Sequence, residues 1–131
     1  MGAKENRATV AGAYEAFGRG DIPAVVGINA PDAVWVIHTG ANAAFAGEHR
    51  GHSGIGAMFQ TIGETVDISL FNMQPIAADG DVVVAYGEQS YTVKKTGKTV
   101  AGPLVHLFTF NAEGQLIRFE EWESNADEAW R

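Results

Sequence analysis

The chain has 131 residues, 46% of them hydrophobic and 19% charged, which is typical of a folded domain and not of a disordered segment. Sixteen acidic and nine basic residues give a net charge of −7, which argues against nucleic acid and anionic membranes as partners. The absence of cysteine excludes disulfides, thiolate nucleophiles and cysteine-ligated metals. With no membrane-length apolar run and no signal-peptide core, we expect a single domain over residues 1–131 in the cytoplasm.

Helical periodicity dominates the first part of the chain. Residues 5–18 are predicted to form an amphipathic helix, and Asp21 is predicted to cap a second, short helix that ends before Pro31. Residues 33–38 are β-branched and aromatic and predict a strand. The glycine-, alanine- and asparagine-rich stretch that follows is typical of a long loop or a bulged edge, and a third helix is predicted to begin at His52.

Four strand-like segments follow Thr65, at residues 67–77, 82–94, 98–110 and 116–124. The short turn sequences between them predict an antiparallel meander. Residues 124–127 resemble a capping box for a short terminal helix that ends at Trp130. Helices beside an antiparallel sheet define an α+β fold. Several strands are apolar on both faces, which predicts helices on one face and the second subunit of a homodimer on the other.

Four stretches are informative in their order and spacing: AYEAFGRGD, AVWVIHTG with AGEHRGHSGI, VHLFTFNAEGQLIRFEEW, and SNADEAW. Together they resemble the SnoaL-like and ketosteroid-isomerase-like branch of the nuclear transport factor two-like superfamily over nearly the whole chain. The resemblance implies a cystatin-like cone, in which a curved antiparallel sheet wraps around helices and encloses an apolar pocket. Its members include isomerases, polyketide cyclases, dehydratases, epoxide hydrolases and binding domains, so function has to be argued from the site.

His106 is the first candidate catalytic residue. It lies in the middle of a predicted strand, in phase with Leu104 and Phe108, so its imidazole is predicted to project into an apolar layer. A partly desolvated imidazole stays neutral and suits acid–base catalysis near neutral pH. The alternative is a core histidine bonded to a backbone carbonyl.

Three further residues are candidate catalytic groups. His38 ends the first predicted strand, near the position at which the resemblance places the isomerase carboxylate, and is either a substitute base or a solvated histidine. Glu88 and Glu120 are candidates either for a general acid or for a group that orients a histidine. The alternative is that both pair with lysine or arginine on an exposed face. Strand alternation alone does not reveal which face points inward.

Aromatic side chains at positions that line the cavity in the resembled family are candidate substrate-binding residues. They supply apolar wall and, for tyrosine and tryptophan, one hydrogen-bond donor each. His49 and His52 form an H-x-x-H pair without a third ligand, so no metal site is expected. Glycine-rich phosphate motifs and dinucleotide fingerprints are absent from the sequence, so no cofactor is expected either. The candidate binding residues are Tyr14, Trp35, Phe59, Phe108 and Trp122.

The leading hypothesis is a pocket enzyme that moves protons on a small hydrophobic ligand bearing a carbonyl or hydroxyl group, by isomerisation, cyclisation or dehydration. The alternative is a non-catalytic ligand-binding or dimerisation module of the same fold. An epoxide hydrolase ranks last, because no aspartate pair accompanies Arg118. Two titratable side chains that converge in one water-restricted cavity would favour the enzyme.

Overall fold

The computed structural model describes residues 2–123 and 126–131. Three helices and a six-stranded sheet make up most of it, and a short 3₁₀ helix, Asp127–Trp130, follows the last strand. The elements in chain order are α1 Ala3–Gly18, α2 Ile22–Gly27, β1 Asn29–His38, β2 Gly47–Arg50, α3 Gly51–Thr65, β3 Val66–Asp79, β4 Val82–Val93, β5 Thr99–Phe110 and β6 Leu116–Glu123.

The helices form where their periodicity predicts them. The Asp21 carboxylate accepts a hydrogen bond from the backbone N–H of Ala24 at 3.2 Å and caps α2. One difference concerns Pro31, which lies inside β1 and not in a turn. The proline is accommodated because β1 changes its register with β6 between Asn29 and Val34, and such irregular strand segments tolerate proline.

The structure adds detail to two further predicted segments. The glycine-rich stretch after β1 contains a short edge strand, β2, which pairs antiparallel with β1. The predicted capping box falls partly on Ser124 and Asn125, which lie outside the described residues. The segment after them forms the 3₁₀ helix, whose residue Trp130 packs against Phe45 at a ring-centroid distance of 5.4 Å.

The strand order across the sheet is β2-β1-β6-β5-β4-β3. Strands β3 to β6 form the predicted antiparallel meander. Strand β1 runs parallel to β6, so the curved sheet is mixed and not wholly antiparallel. A parallel pair needs a long crossover, and the chain from α3 through β5 supplies it.

The helices lie on one face of the sheet, where α1 packs on β3 and β4 and α3 packs on β1. Side chains of β5 alternate between this inner face and the outer one, and the inner set includes the fully buried Leu104 and the nearly buried Phe108 and Phe110. In the described residues, no helix has both the length and the apolar character that crossing a membrane requires. The sheet and its helices therefore share one core, and the cavity described below lies within it.

Candidate functional site

A cavity of about 80 Å³ lies between the helices and the inner face of the sheet. Aromatic and aliphatic side chains form nearly all of its wall, including Trp35, Phe59 and Phe108. Two side chains with ionisable groups on its wall, His106 and Glu121, lie on the neighbouring strands β5 and β6. The cavity thus combines an apolar wall with a few convergent polar groups, which is the usual character of a small-molecule site.

Tyr14, His106 and Glu121 form a continuous hydrogen-bonded line on the wall of this cavity. The Tyr14 hydroxyl lies 2.7 Å from His106 Nδ1, and His106 Nε2 lies 2.7 Å from Glu121 Oε1. The His106 side chain is only 4% exposed and that of Glu121 14%. Two titratable partners therefore meet one buried imidazole, as the enzyme hypothesis requires.

The protonation of this line follows from its donors and acceptors. A carboxylate only accepts hydrogen bonds, so with Glu121 ionised the proton on His106 Nε2 points to Glu121 and Nδ1 accepts from the Tyr14 hydroxyl. Burial, followed by the negative charge of Glu121, raises the pKa of the Tyr14 phenol above its ordinary range. Tyr14 therefore remains a neutral hydroxyl that can pass a proton in either direction.

Ring contacts and one buried amide fix the wall around this line. Phe119 lies edge-on to the His106 imidazole at 4.7 Å and stacks on Trp35 at 4.1 Å between ring centroids. Trp35 donates its indole N–H to Asn29 Oδ1 at 2.7 Å, so a wall residue is held by a side chain of its own strand. The low polarity of such a wall strengthens the hydrogen bonds inside it.

A second carboxyl group, Glu123, lies beside the first on the inner side of β6. It accepts hydrogen bonds from Thr39 at 2.5 Å, from Gln89 at 2.6 Å and from Tyr91 at 3.2 Å. Burial, followed by the negative charge of Glu121, raises the pKa of Glu123, and the three hydrogen bonds oppose this shift. Glu123 does not line the cavity, so we assign it no contact with a ligand.

The structure does not bring three of the four predicted catalytic residues to the cavity. His38 and Glu120 lie on the outer face of the sheet, where His38 Nε2 is 3.1 Å from Glu120 Oε1, and this hydrogen bond lowers the pKa of Glu120. Glu88 is exposed on the outer side of β4, since its neighbour Gln89 is buried. Trp122, predicted to bind substrate, stacks on His38 at 4.8 Å and belongs to the outer face as well. Side chains alternate between the two faces within these strands, as predicted. The sequence alone did not show which set of side chains points toward the cavity.

The other predicted residues lie either at the cavity or near the start of α3. His106 lies at the cavity, as do four of the predicted binding residues, Tyr14, Trp35, Phe59 and Phe108. His49 and His52 each bond to a backbone carbonyl, those of Phe45 at 2.9 Å and Asn29 at 2.8 Å, and thereby fix the start of α3.

Sequence reasoning missed Glu121, which is the direct cross-strand partner of His106. A usable signal was present, because Glu121 is in phase with Phe119, a large aromatic residue of the same strand. It also missed Phe71 and Phe119 as wall residues. Phe71 lies on β3 between irregular pairings, so simple alternation does not place it.

The family model for the SnoaL-like domain matches residues 10–119. No curated protein matches the chain. An NTF2-like protein from Burkholderia xenovorans LB400 is 28% identical, with a TM-score of 0.83, and the alignment covers 99% of this chain and 95% of that one. An NTF2-like protein from Burkholderia thailandensis E264 is 27% identical, with a TM-score of 0.84 and coverages of 96% and 97%. A proposed polyketide cyclase from Xanthomonas campestris pv. campestris, 20% identical, shares the fold, with a TM-score of 0.77 and coverages of 95% and 93%.

Proposed function

We propose that this chain, which belongs to the SnoaL-like domain family, is an enzyme that moves protons on a small hydrophobic compound without a cofactor. The compound bears a carbonyl or hydroxyl group, and the reaction is an isomerisation, a cyclisation or a dehydration. The observation that carries the proposal is the line Tyr14–His106–Glu121 in an apolar cavity, with both hydrogen bonds at 2.7 Å. All three reactions need one positioned group that accepts and returns a proton.

The line accounts for proton transfer in both directions. As a base, Tyr14 Oη takes a proton from the ligand while its own proton passes to His106 Nδ1, and the electron pair of the broken bond stays on the ligand as an enolate or alkoxide. Glu121 holds the His106 Nε2–H and stabilises the imidazolium that forms, as the carboxylate of a nucleophile–histidine–carboxylate triad does. As an acid, the same line returns the proton to another atom of the ligand.

The proposed step is tested by hydrogen–deuterium exchange at the carbons beside the carbonyl of 2-indanone, followed by NMR in D₂O. We expect the protein to accelerate exchange, and Tyr14→Phe, His106→Gln and Glu121→Gln each to remove about 10²–10⁴-fold of that rate. The fold offers a matched control, because His38 and Glu120 form a second histidine–glutamate pair on the outer face. His38→Gln and Glu120→Gln should leave the exchange rate unchanged.

Two outcomes would contradict the proposal. If the control substitutions on the outer face lower the exchange rate as much as the substitutions of His106 and Glu121 do, the reacting group lies on the outer face. If the wild type binds 2-indanone without accelerating exchange, the chain is a ligand-binding module of the same fold. Thermal unfolding of each variant shows whether a loss of exchange activity comes from the loss of a proton acceptor or from the loss of the folded structure.

A further inference from the structure

A groove adjoins the cavity, between the second half of α1 and strand β3. Its volume is about 640 Å³, against about 80 Å³ for the cavity. Sites for drug-sized ligands span about 300–1,000 Å³, so the groove has this size and the cavity alone does not. Tyr14, Phe17 and Phe71 line both spaces and form the partition between them. A ligand that occupies both spaces has to pass these three side chains.

The fold itself keeps the groove open. Near its start, α1 is attached to the sheet, where Arg7 donates a hydrogen bond to the Pro75 carbonyl at 2.8 Å. Further along, the helix contributes Ala11 and Gly18 to the groove, and residues this small leave the space unfilled. Register shifts lie at both ends of the strand segment 68–75, and bulges of this kind bend a strand away from a straight course.

The polar groups of the groove suit an uncharged ligand with hydroxyl groups. Strand β3 is at the edge of the sheet, and its Pro75 carbonyl points away from β4, because it accepts from α1. Carbonyl directions alternate along a strand, so those of Phe71 and Met73 face the same free edge. Carbonyls at a free edge accept hydrogen bonds from ligand donors. Glu15 lines the helical side of the groove and repels an anion.

We propose that the groove binds the second half of the substrate whose reacting half occupies the cavity, and that Phe71 is the specificity-determining residue at the junction. The proposal rests on the proposed function. The substrate is an elongated, uncharged compound, with a reacting ring in the cavity and a hydroxyl-bearing ring or chain in the groove. The Phe71 ring lies 5.0 Å from Phe17 and 6.1 Å from Tyr14 between centroids, so its side chain sets the width of the passage.

Phenol and 3-(4-hydroxyphenyl)propan-1-ol test the proposal as a pair, because the second adds a hydroxylated tail to the first. NMR titration of the full chain measures both dissociation constants. Phenol should move the ring signals of His106. The alcohol should move the same signals and also the amides of Ala11 and Gly18, and should bind about tenfold more tightly.

Two adjacent helix residues provide a blocking variant and its control. Ala11 lines the groove but not the cavity, so Ala11→Leu should remove the tenfold advantage of the alcohol and leave the phenol affinity unchanged. Gly12 is exposed, lines neither space, and has no other atom within 4 Å of a Cβ placed on it, so Gly12→Leu should change neither affinity.

The role of Phe71 is tested with a rigid ligand. 4-Phenylphenol cannot bend at the junction, so it should bind more weakly than the alcohol to the wild type, and Phe71→Ala should reverse this order. An unchanged order would remove Phe71 as the specificity-determining residue.

A ligand with a charged tail tests the prediction that the substrate is uncharged. At low ionic strength, 3-(4-hydroxyphenyl)propanoate should bind more weakly than the alcohol, and Glu15→Gln should narrow the difference. Equal affinities for the two tails in the wild type would overturn the uncharged class.

The two proposals fail in different ways. If phenol moves the His106 signals but the alcohol binds no more tightly, the groove proposal is wrong and the proposed function stands. If phenol leaves His106 unmoved, the cavity does not accept the reacting half, and both proposals fall.

Discussion

At the scale of single residues, the decisive feature is that both nitrogens of His106 have partners. A buried imidazole with one unsatisfied nitrogen costs free energy of folding, whereas here a hydroxyl and a carboxylate satisfy the two sides. The nearby Glu123 differs, because it is held by three neutral donors and lies close to a second carboxylate. The two glutamates of the inner face of β6 therefore have different electrostatic roles.

Glu123 leads to an expectation for the pH dependence of stability. Its pKa in the folded protein is raised above the ordinary value of 4.5, so folding favours its protonated form. This contribution to stability is present below pH 4.5 and is lost as the pH rises through the raised pKa. We expect Glu123→Gln to remove the contribution of this group, so that the unfolding free energy of the variant declines less than that of the wild type as the pH rises from 4.5, measured by urea denaturation at several pH values. Glu113→Gln in the exposed β5–β6 turn should keep the wild-type slope.

At the scale of elements, Asn29 connects a helix to the wall of the cavity. Its side-chain amide donates to the carbonyls of Val25 and Val26 at the end of α2, at 3.2 and 3.0 Å, while its oxygen accepts from Trp35. The residue is 2% exposed. One side chain thus closes the end of α2 and orients a wall residue of the site.

We expect Asn29→Ala to lower the free energy of unfolding by about 2–4 kcal/mol, because it leaves a buried indole N–H without its acceptor and removes the side-chain donor from the carbonyls of Val25 and Val26. Urea denaturation measures this change. Asn72→Ala, on the exposed side of β3, should stay within about 0.5 kcal/mol of the wild type. A loss at Asn29 no greater than that of the control would show that solvent replaces these hydrogen bonds.

At the scale of the whole molecule, the outer face of the sheet carries a row of side chains that crosses five strands. Cross-strand pairing aligns Gln74, Tyr86, Val105, Trp122 and His38 in this order. Tyr86 is 49% exposed and Trp122 41%, so the row presents aromatic side chains on the solvent side of the sheet, and contiguous apolar surface of this kind marks interaction sites. We propose that a second copy of the chain covers this face in a homodimer.

This proposal predicts the mass of the protein in solution. Sedimentation velocity should give twice the 13.9 kDa of one chain. Trp122→Glu and Tyr86→Glu should shift the protein to the monomer, because a charge in a buried apolar contact is costly. Ala8→Glu, exposed on α1, should leave the mass unchanged. A wild type that sediments as a monomer at all concentrations would remove the dimer.

Much of the fold could be predicted because it follows from local patterns. Alternation placed His106 among Leu104 and Phe108, and short turns predicted the meander. The choice between Glu120 and Glu121 could not be made locally, since neighbouring strand residues face opposite sides and the correct one is set by the pairing of β6 with β5. The parallel contact of β1 with β6 was equally hidden, because no turn sequence joins two strands so far apart.

The parallel contact also has a consequence for how the protein is made. Tyr14 and His106 are separated by 92 residues, and Glu121 follows on β6, so a nascent chain has no complete site until β6 has left the ribosome. At roughly 5–20 residues per second, synthesis of the intervening chain takes on the order of ten seconds. For most of that interval β1 has already been made but lacks its parallel neighbour β6, so the site is completed late in the synthesis of each molecule.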